Sequence, residues 1–88
     1  MNTKEIIGRI SDEYDEMLLA DGFDDAIIGV VEGACRPTVV AYDYDRCVKI
    51  LMDQGMEEED AHEWMCVNTM GAWVGEQTPM FVHDWRND

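Results

Sequence analysis

The residues best suited to chemistry in this sequence are its carboxylates. The chain has 88 residues, with 20 Asp and Glu against 6 Lys and Arg, and its formal net charge is −14. Carboxylates at this density repel one another and oppose the compact state, so a partner that favours negative charge would offset the cost. Two groups of them fall on predicted helices. We expect the following residues to bind a partner: Asp12, Asp15, Glu16, Glu58, Glu59 and Glu63.

The two acidic groups are spaced in a way that suits an imitation of nucleic acid. A helix rises about 1.5 Å per residue, so the 6 carboxylates from Glu5 to Asp21 would occur about once per 4 Å. Phosphates along one DNA strand are about 3.4 Å apart. The second group, within residues 57–63, has 5 carboxylates and no Lys or Arg. These rows predict a decoy for a basic channel, and the alternative is an acidic surface that only keeps the protein soluble.

His62 and Cys66 are the other residues with chemical potential. Their separation of four residues on a helix would let them share a metal ion, with Cys35, Cys47 or His83 completing the site only if the fold brings them close. The sequence has neither Cys-x-x-Cys nor His-Glu-x-x-His. The same pair, taken as nucleophile and base, lacks a third group to orient it. We therefore predict no metal site, no cofactor and no enzymatic activity.

Composition indicates one acidic folded domain over residues 1–88. Hydrophobic residues make up 47% of the chain, which is too many for a disordered acidic tail. No basic segment precedes an apolar run, and no run approaches the roughly 18 apolar residues that span a bilayer, so we expect neither signal peptide nor membrane span. The 3 widely spaced cysteines fit a reducing cytoplasm. The charge argues against direct binding to nucleic acid or to anionic membranes.

The first acidic group requires a helix, and a hairpin follows it. Apolar residues recur at helical spacing over residues 3–20, which predicts a helix with Thr3 as its N-cap and Gly22 just beyond its end. Residues 26–31 and 38–42 are rich in β-branched side chains and predict a hairpin with a loop longer than two residues. The first of these strands is apolar at nearly every position, so we expect both its faces to be covered. Its glycine, Gly29, indicates a bulge or close packing.

The second acidic group requires another helix after the hairpin. Asp43 is a good N-cap for a helix that buries Tyr44, Cys47, Val48 and Leu51 and ends at Gly55. A third helix over residues 57–70 places acidic residues in its first turn, where the helix dipole favours them. It would turn Ala61, Trp64, Met65 and Asn68 inward. A last strand over residues 78–83 completes the order α-β-β-α-α-β. This order predicts an α+β fold with a small three-stranded, mainly antiparallel sheet packed by three helices.

Four short segments between residues 23 and 82 form a distinctive combination. They are Phe-Asp-Asp-Ala-Ile-Ile-Gly at 23–29, Val-Ala-Tyr-Asp at 40–43, Cys-Val-Lys-Ile-Leu at 47–51 and Gly-Ala-Trp-Val-Gly-Glu-Gln-Thr-Pro at 71–79. The combination resembles small uncharacterised proteins encoded by bacteriophages. The resemblance implies a phage product made in a bacterial cytoplasm, and it brings no activity or site.

Charge and resemblance together favour a binding function. We predict a small acidic phage-type protein that inhibits or modulates a host protein with a basic surface, one that binds nucleic acid or serves in defence. The alternative is a homo-oligomer, such as a homodimer, that associates through an open sheet edge or through apolar helices and whose acidity serves solubility alone. A salt-sensitive complex with a basic protein favours the first reading, and a salt-resistant dimer favours the second.

Overall fold

The computed structural model describes residues 2–14, 18–20, 22–70 and 75–87. Within them three α-helices pack on a three-stranded sheet in the order α-β-β-α-α-β, which confirms the predicted α+β class and order. The elements are α1 (Thr3–Glu13), β1 (Ile27–Gly33), β2 (Arg36–Asp43), α2 (Tyr44–Asp53), α3 (Glu58–Met65) and β3 (Met80–Val82). Among the described residues, no helix combines the length and the apolar character needed to cross a bilayer.

The sheet has β2 at its centre, flanked by β1 and β3. β1 and β2 are antiparallel neighbours, whereas β3 runs parallel to β2 and pairs Met80 with Ala41 and Val82 with Asp43. A parallel neighbour requires a long crossover, and α2 and α3 lie in that connection. Four successive residues of β2, Val39 to Tyr42, are buried. Because alternate residues point to opposite faces, the central strand is covered on both sides.

The hairpin between β1 and β2 is tighter than predicted. Pairing continues to Gly33 and Arg36, so the turn has two residues, Ala34 and Cys35, and the longer loop predicted over residues 32–37 is wrong. Cys35 has a φ of 58°, a left-handed conformation that the turn imposes on a non-glycine residue. The predicted bulge is confirmed, since the register shifts between Ile27 and Gly29 and the φ of Gly29 is 153°.

One face of β1 is more open than its apolar sequence indicates. Ile28 is 50% exposed and Val30 is 37% exposed, so the prediction that both faces of this strand are covered is wrong. The reason is its position: β1 is an edge strand of the described sheet, and α1 is the described helix that packs beside it. Ile27, at the start of the strand, is buried in the main core.

Helix α1 is shorter than predicted. Its N-cap is Asn2, not Thr3, because the Asn2 side-chain oxygen accepts a hydrogen bond from the Glu5 backbone N–H at 2.9 Å. The helix ends at Glu13, and Tyr14 is extended, so the prediction of a helix through residue 20 is wrong. Ala20 instead donates its backbone N–H to the Tyr42 side-chain oxygen at 2.6 Å. This contact ties the segment to the sheet and takes the place of the helical hydrogen bond that the local pattern predicted. The local pattern gives no sign of it, because Tyr42 is distant in sequence.

Helix α2 follows the prediction closely. The Asp43 side chain caps it by accepting from the backbone N–H groups of Asp45 and Arg46. The predicted inward stripe is confirmed, and it is buried at Tyr44, Cys47, Val48 and Leu51. At the other end Gly55 has a φ of 108°, its N–H bonds to the Met52 carbonyl, and the Met56 N–H bonds to the Leu51 carbonyl. These two bonds form a Schellman motif, which turns the chain directly into α3.

The cap of α2 makes a direct stability prediction. Asp43→Ala should lower the free energy of unfolding by about 1 kcal/mol, because the first N–H groups of α2 lose their acceptor. Urea unfolding followed by circular dichroism measures this change. Asp45→Ala is the matched control, since it removes a carboxylate two residues later in the chain without removing the cap. An equal loss in both variants would contradict the assignment of Asp43 as the cap.

The third helix and the last strand differ from prediction in their lengths. The α-helical part is Glu58–Met65, and the chain continues as a π-helical turn, Cys66–Met70. β3 comprises Met80–Val82, inside the predicted residues 78–83. Asn68, predicted to face inward, is exposed because the π-helical turn rotates it away from the core. The predicted helix end at Gly71 lies outside the described residues.

Candidate functional site

The surface with the strongest chemical character lies on α3. Ala61 and Met65 of this helix are fully buried and fix its rotation against α2. The residues at the next positions round the helix then face outward at spacings of three, four and seven, which define a single face. This face consists of Asp60, Glu63, Trp64 and Val67, with Met56 beside it from the preceding turn. We call these five residues the α3 face.

An apolar groove forms the centre of the α3 face. Its volume is about 420 Å³, and Met56, Trp64 and Val67 supply its apolar lining. The Trp64 ring rests on the buried Phe23 ring, with centroids 5.8 Å apart and an interplanar angle of 56°. Val67 is 66% exposed. The indole is therefore held by the core on one side and offers its other side to the groove.

The π-helical turn shapes one end of this groove. Val67 lies in the turn, and the side-chain amide of Asn68 donates to the Trp64 backbone carbonyl at 3.2 Å. A π-helical turn closes i→i+5 hydrogen bonds and so holds more residues per turn than an α-helix, and such turns often occur at functional sites. In this protein the turn carries an exposed apolar side chain to the rim of the groove.

The carboxylates of α3 have two different explanations. Glu58, Glu59 and Asp60 lie in the first turn, where the positive end of the helix dipole stabilises negative charge. Glu63 lies beyond that first turn, so the helix dipole gives no reason for a carboxylate there. Helix stability therefore accounts for the first three residues and leaves Glu63 unexplained. No Lys or Arg occurs between Lys49 and Arg86, so the field at the α3 face is negative.

The six residues predicted to bind a partner occupy different places. Glu59 and Glu63 are exposed on the outer side of α3, with Glu63 in the α3 face. Glu58 is on another side of the helix, with its carboxylate 3.8 Å from the His62 Nε2 atom. Asp12 is exposed near the end of α1. Asp15 and Glu16 lie outside the described residues.

The predicted continuous acidic ridge on the first helix is wrong in its extent. Because α1 has 11 residues, it spans about 16 Å and not the roughly 24 Å expected. Within it Glu13 is paired, since its carboxylate accepts from the Arg9 Nε atom at 3.2 Å. Glu5 is engaged with the cap residue Asn2 through a 3.2 Å hydrogen bond. Among the described helices, α3 carries the densest group of exposed carboxylates.

The His62 ring is engaged with Tyr44. The His62 Nδ1 atom is 2.8 Å from the Tyr44 hydroxyl, and the two rings stack with centroids 5.6 Å apart. His83 packs on the same tyrosine at 4.2 Å. Burial, with a smaller contribution from nearby Cys66, raises the pKa of Tyr44. These contacts make His62 a bridge between α3 and α2. Within the described segments, no three His, Cys, Asp or Glu residues are grouped to hold a metal ion.

The three cysteines differ sharply in their surroundings. Cys35 and Cys66 are exposed, whereas Cys47, on the inward face of α2, is fully buried. Burial raises the pKa of the Cys47 thiol to about 12, with a smaller contribution from the Asp43 carboxylate. Since the thiolate is the reactive form, Cys47 should be inert in the folded protein.

Thiol accessibility gives a second prediction. At pH 8 a thiol-reactive aromatic disulfide should label Cys35 and Cys66 rapidly and Cys47 only after unfolding in urea. The folded thiol keeps its proton to about pH 12, while the unfolded thiol loses it near 9.0, so stability should also fall as the pH rises through this interval. Cys47→Ala is the control, because it should remove only the labelling that appears after unfolding in urea. Rapid reaction of all three thiols would contradict the burial of Cys47.

Comparisons with protein-family profiles, with curated proteins and with solved structures find no match to this chain. Interpretation of the α3 face therefore depends on its geometry and charge. Sequence reasoning identified Glu59 and Glu63 but treated Trp64 as a core residue, and it did not select Met56 or Val67. The spacing of Asp60, Glu63, Trp64 and Val67 was the available signal, since it places acidic and apolar residues on one helical face.

Proposed function

We propose that this chain is a small acidic binding protein that docks the α3 face on a basic surface of another protein. In the phage context that the resemblance implies, the partner is a host protein that binds nucleic acid or serves in defence, and docking inhibits or modulates it. The observation that carries the proposal is the placement of Glu63 and Asp60 beside an exposed apolar groove on Trp64. Neither the helix dipole nor the core accounts for that combination.

The arrangement suits protein recognition for a physical reason. Binding energy in protein interfaces concentrates on a few aromatic and apolar anchors surrounded by a polar rim that excludes water. Trp64 is such an anchor, because Phe23 fixes its ring and little side-chain freedom is lost on docking. The carboxylates of Asp60 and Glu63 supply the rim, and Glu59 is exposed next to them on α3. Long-range attraction from the chain's negative charge would speed the encounter with a basic partner.

The proposed binding surface has one acidic row, whereas the sequence predicted two. With α1 ending at Glu13, the negative rim on α3 is one helical ridge beside an apolar centre. A pure nucleic-acid mimic would rely on carboxylates alone. The α3 face instead matches a basic surface that also offers an apolar side chain or cavity, as a channel of lysines and arginines around an apolar contact does.

Capture from a bacterial lysate tests the proposal. The immobilised chain should retain a basic protein at about 0.1 M salt and release much of it at about 1 M, where the Debye length falls from about 10 Å to about 3 Å. The retained protein is identified by mass spectrometry and purified for direct binding. Failure to recover a basic protein, or recovery of one that is indifferent to salt, would count against the proposal.

A further inference from the structure

A second groove lies between α1 and β1. Its volume is about 560 Å³, within the range of pockets that bind ligands. Ile6 and Ile10 form the apolar part of the helical wall, and Ile28 and Val30 form that of the strand wall. No residue of the α3 face lines this groove. We call it the α1–β1 groove.

The strand wall of the groove is an unpaired sheet edge. β1 pairs with β2 alone in the described sheet, so the backbone groups on its outer side have no strand partner there. Its register is regular from Gly29 to Val31, between the two bulges. Exposed edges are templates for a further strand, and proteins protect them with charged residues, proline or bulges. Between its two bulges β1 carries no charged residue or proline, and its exposed apolar side chains are Ile28 and Val30.

We propose that the α1–β1 groove accepts an extended segment of a basic polypeptide, which adds to the sheet as a strand beside β1. A groove with an edge strand on one wall and a helix on the other suits this mode of binding. The backbone of the incoming segment pairs with the strand, and its alternate side chains enter the groove. Here the entering side chains would be apolar, because they meet Ile10 and Val30.

Charge selects a basic segment over other occupants. Glu13 and Glu32 line the groove, and Arg9, the one cationic side chain among its described lining residues, is already paired with Glu13 at 3.2 Å. A second copy of the chain would bring another 14 negative charges to this edge, which opposes association at low salt. An extended segment with lysines on its solvent side and apolar residues on its groove side satisfies both walls.

This inference depends on the proposed function only for the charge of the partner, since the groove and the α3 face are separate surfaces. The proposal for the groove and the proposal for the α3 face can therefore be refuted separately. A variant in which Glu59, Asp60 and Glu63 are neutralised should lose at most a few-fold in affinity for a groove peptide, through weaker long-range attraction, whatever its effect on capture of the basic protein.

A defined peptide tests the groove directly. The probe has seven residues in which Lys and Val alternate, and both its ends are blocked. Two further versions carry N-methyl groups on every Val or on every Lys, so that each removes the backbone donors along one edge of the extended chain. Titration of ¹⁵N-labelled protein should shift the amides of Gly29, Val30 and Val31. One methylated version should bind nearly as well as the parent and the other about tenfold more weakly or worse.

The controls separate edge pairing from general attraction. The double variant Ile28→Thr with Val30→Thr keeps β-branched residues and the fold but should lose about tenfold in affinity. A peptide with Glu in place of Lys should also bind about tenfold more weakly or worse. Equal binding by the two methylated versions would overturn the proposal. A wild-type dimer in sedimentation that the double variant abolishes would overturn it too, because a second copy would then occupy the edge.

Discussion

Neutralising the rim of the α3 face is expected to lower affinity for the captured basic protein by about 100-fold at low salt. The variant combines Glu59→Gln, Asp60→Asn and Glu63→Gln. Loss of three charges that face a basic surface, at a little under 1 kcal/mol each, gives this factor. Calorimetric titration of the purified partner measures it. At high salt the difference between variant and wild type should shrink, because screening already weakens the wild-type interaction.

A charge-matched variant makes this prediction specific. Asp25→Asn, Asp45→Asn and Glu76→Gln remove three exposed carboxylates away from the α3 face and change the net charge equally. This control should lose only a few-fold in affinity, through weaker long-range attraction. Circular dichroism must show both variants folded, since neutral residues in the first turn of α3 give up some dipole stabilisation. Equal losses in the two variants would mean that bulk charge, and no particular face, drives binding.

The largest effect on stability is expected at Met65. Its side chain is fully buried between α3 and the rest of the core, so Met65→Ala should cost about 2–5 kcal/mol through lost contacts and a residual cavity. A domain of this size has only about 5–15 kcal/mol to lose. Urea unfolding monitored by circular dichroism measures the change. The α3 face should be affected with it, because Met65 fixes the rotation of the helix that presents Trp64.

Met52→Ala is the matched control for that substitution. Met52 lies on α2 and is among the exposed large hydrophobic residues, so removing the same atoms there should cost well under 1 kcal/mol. A similar loss at both positions would contradict the packing of α3 on α2. Retention of full stability by Met65→Ala would contradict it more directly.

Local sequence signals predicted the parts of the fold that local chemistry decides. Asp43 predicts the start of α2 because its carboxylate accepts hydrogen bonds from the first N–H groups of a helix. Gly55 ends that helix because a positive φ suits glycine, and Tyr44, Cys47 and Leu51 recur at the spacing of one helical face. Each of these signals operates within a few residues. The order of elements and the α+β class followed from them.

Features that depend on distant contacts were not predicted. α1 stops at Glu13 while Ala20, several residues later, bonds to Tyr42 across the fold, and nothing near Tyr14 in sequence signals the end. The parallel pairing of β3 depends on the path of two intervening helices. The α3 face was predicted in part: its acidic residues are conspicuous in the sequence, but the half-buried position of Trp64 and the exposure of Val67 depend on how Met65 docks the helix.

Mapping the contact surface shows directly whether the α3 face is the site that binds the basic partner. With ¹⁵N-labelled protein and the purified basic partner, amide signals are followed through a titration at low salt. If the α3 face binds the partner, the strongest shifts and broadening should fall on Met56 and on residues 59–68, with the Trp64 indole N–H among them. Perturbations confined to other surfaces, with residues 59–68 unchanged, would contradict the assignment of the α3 face as the binding site.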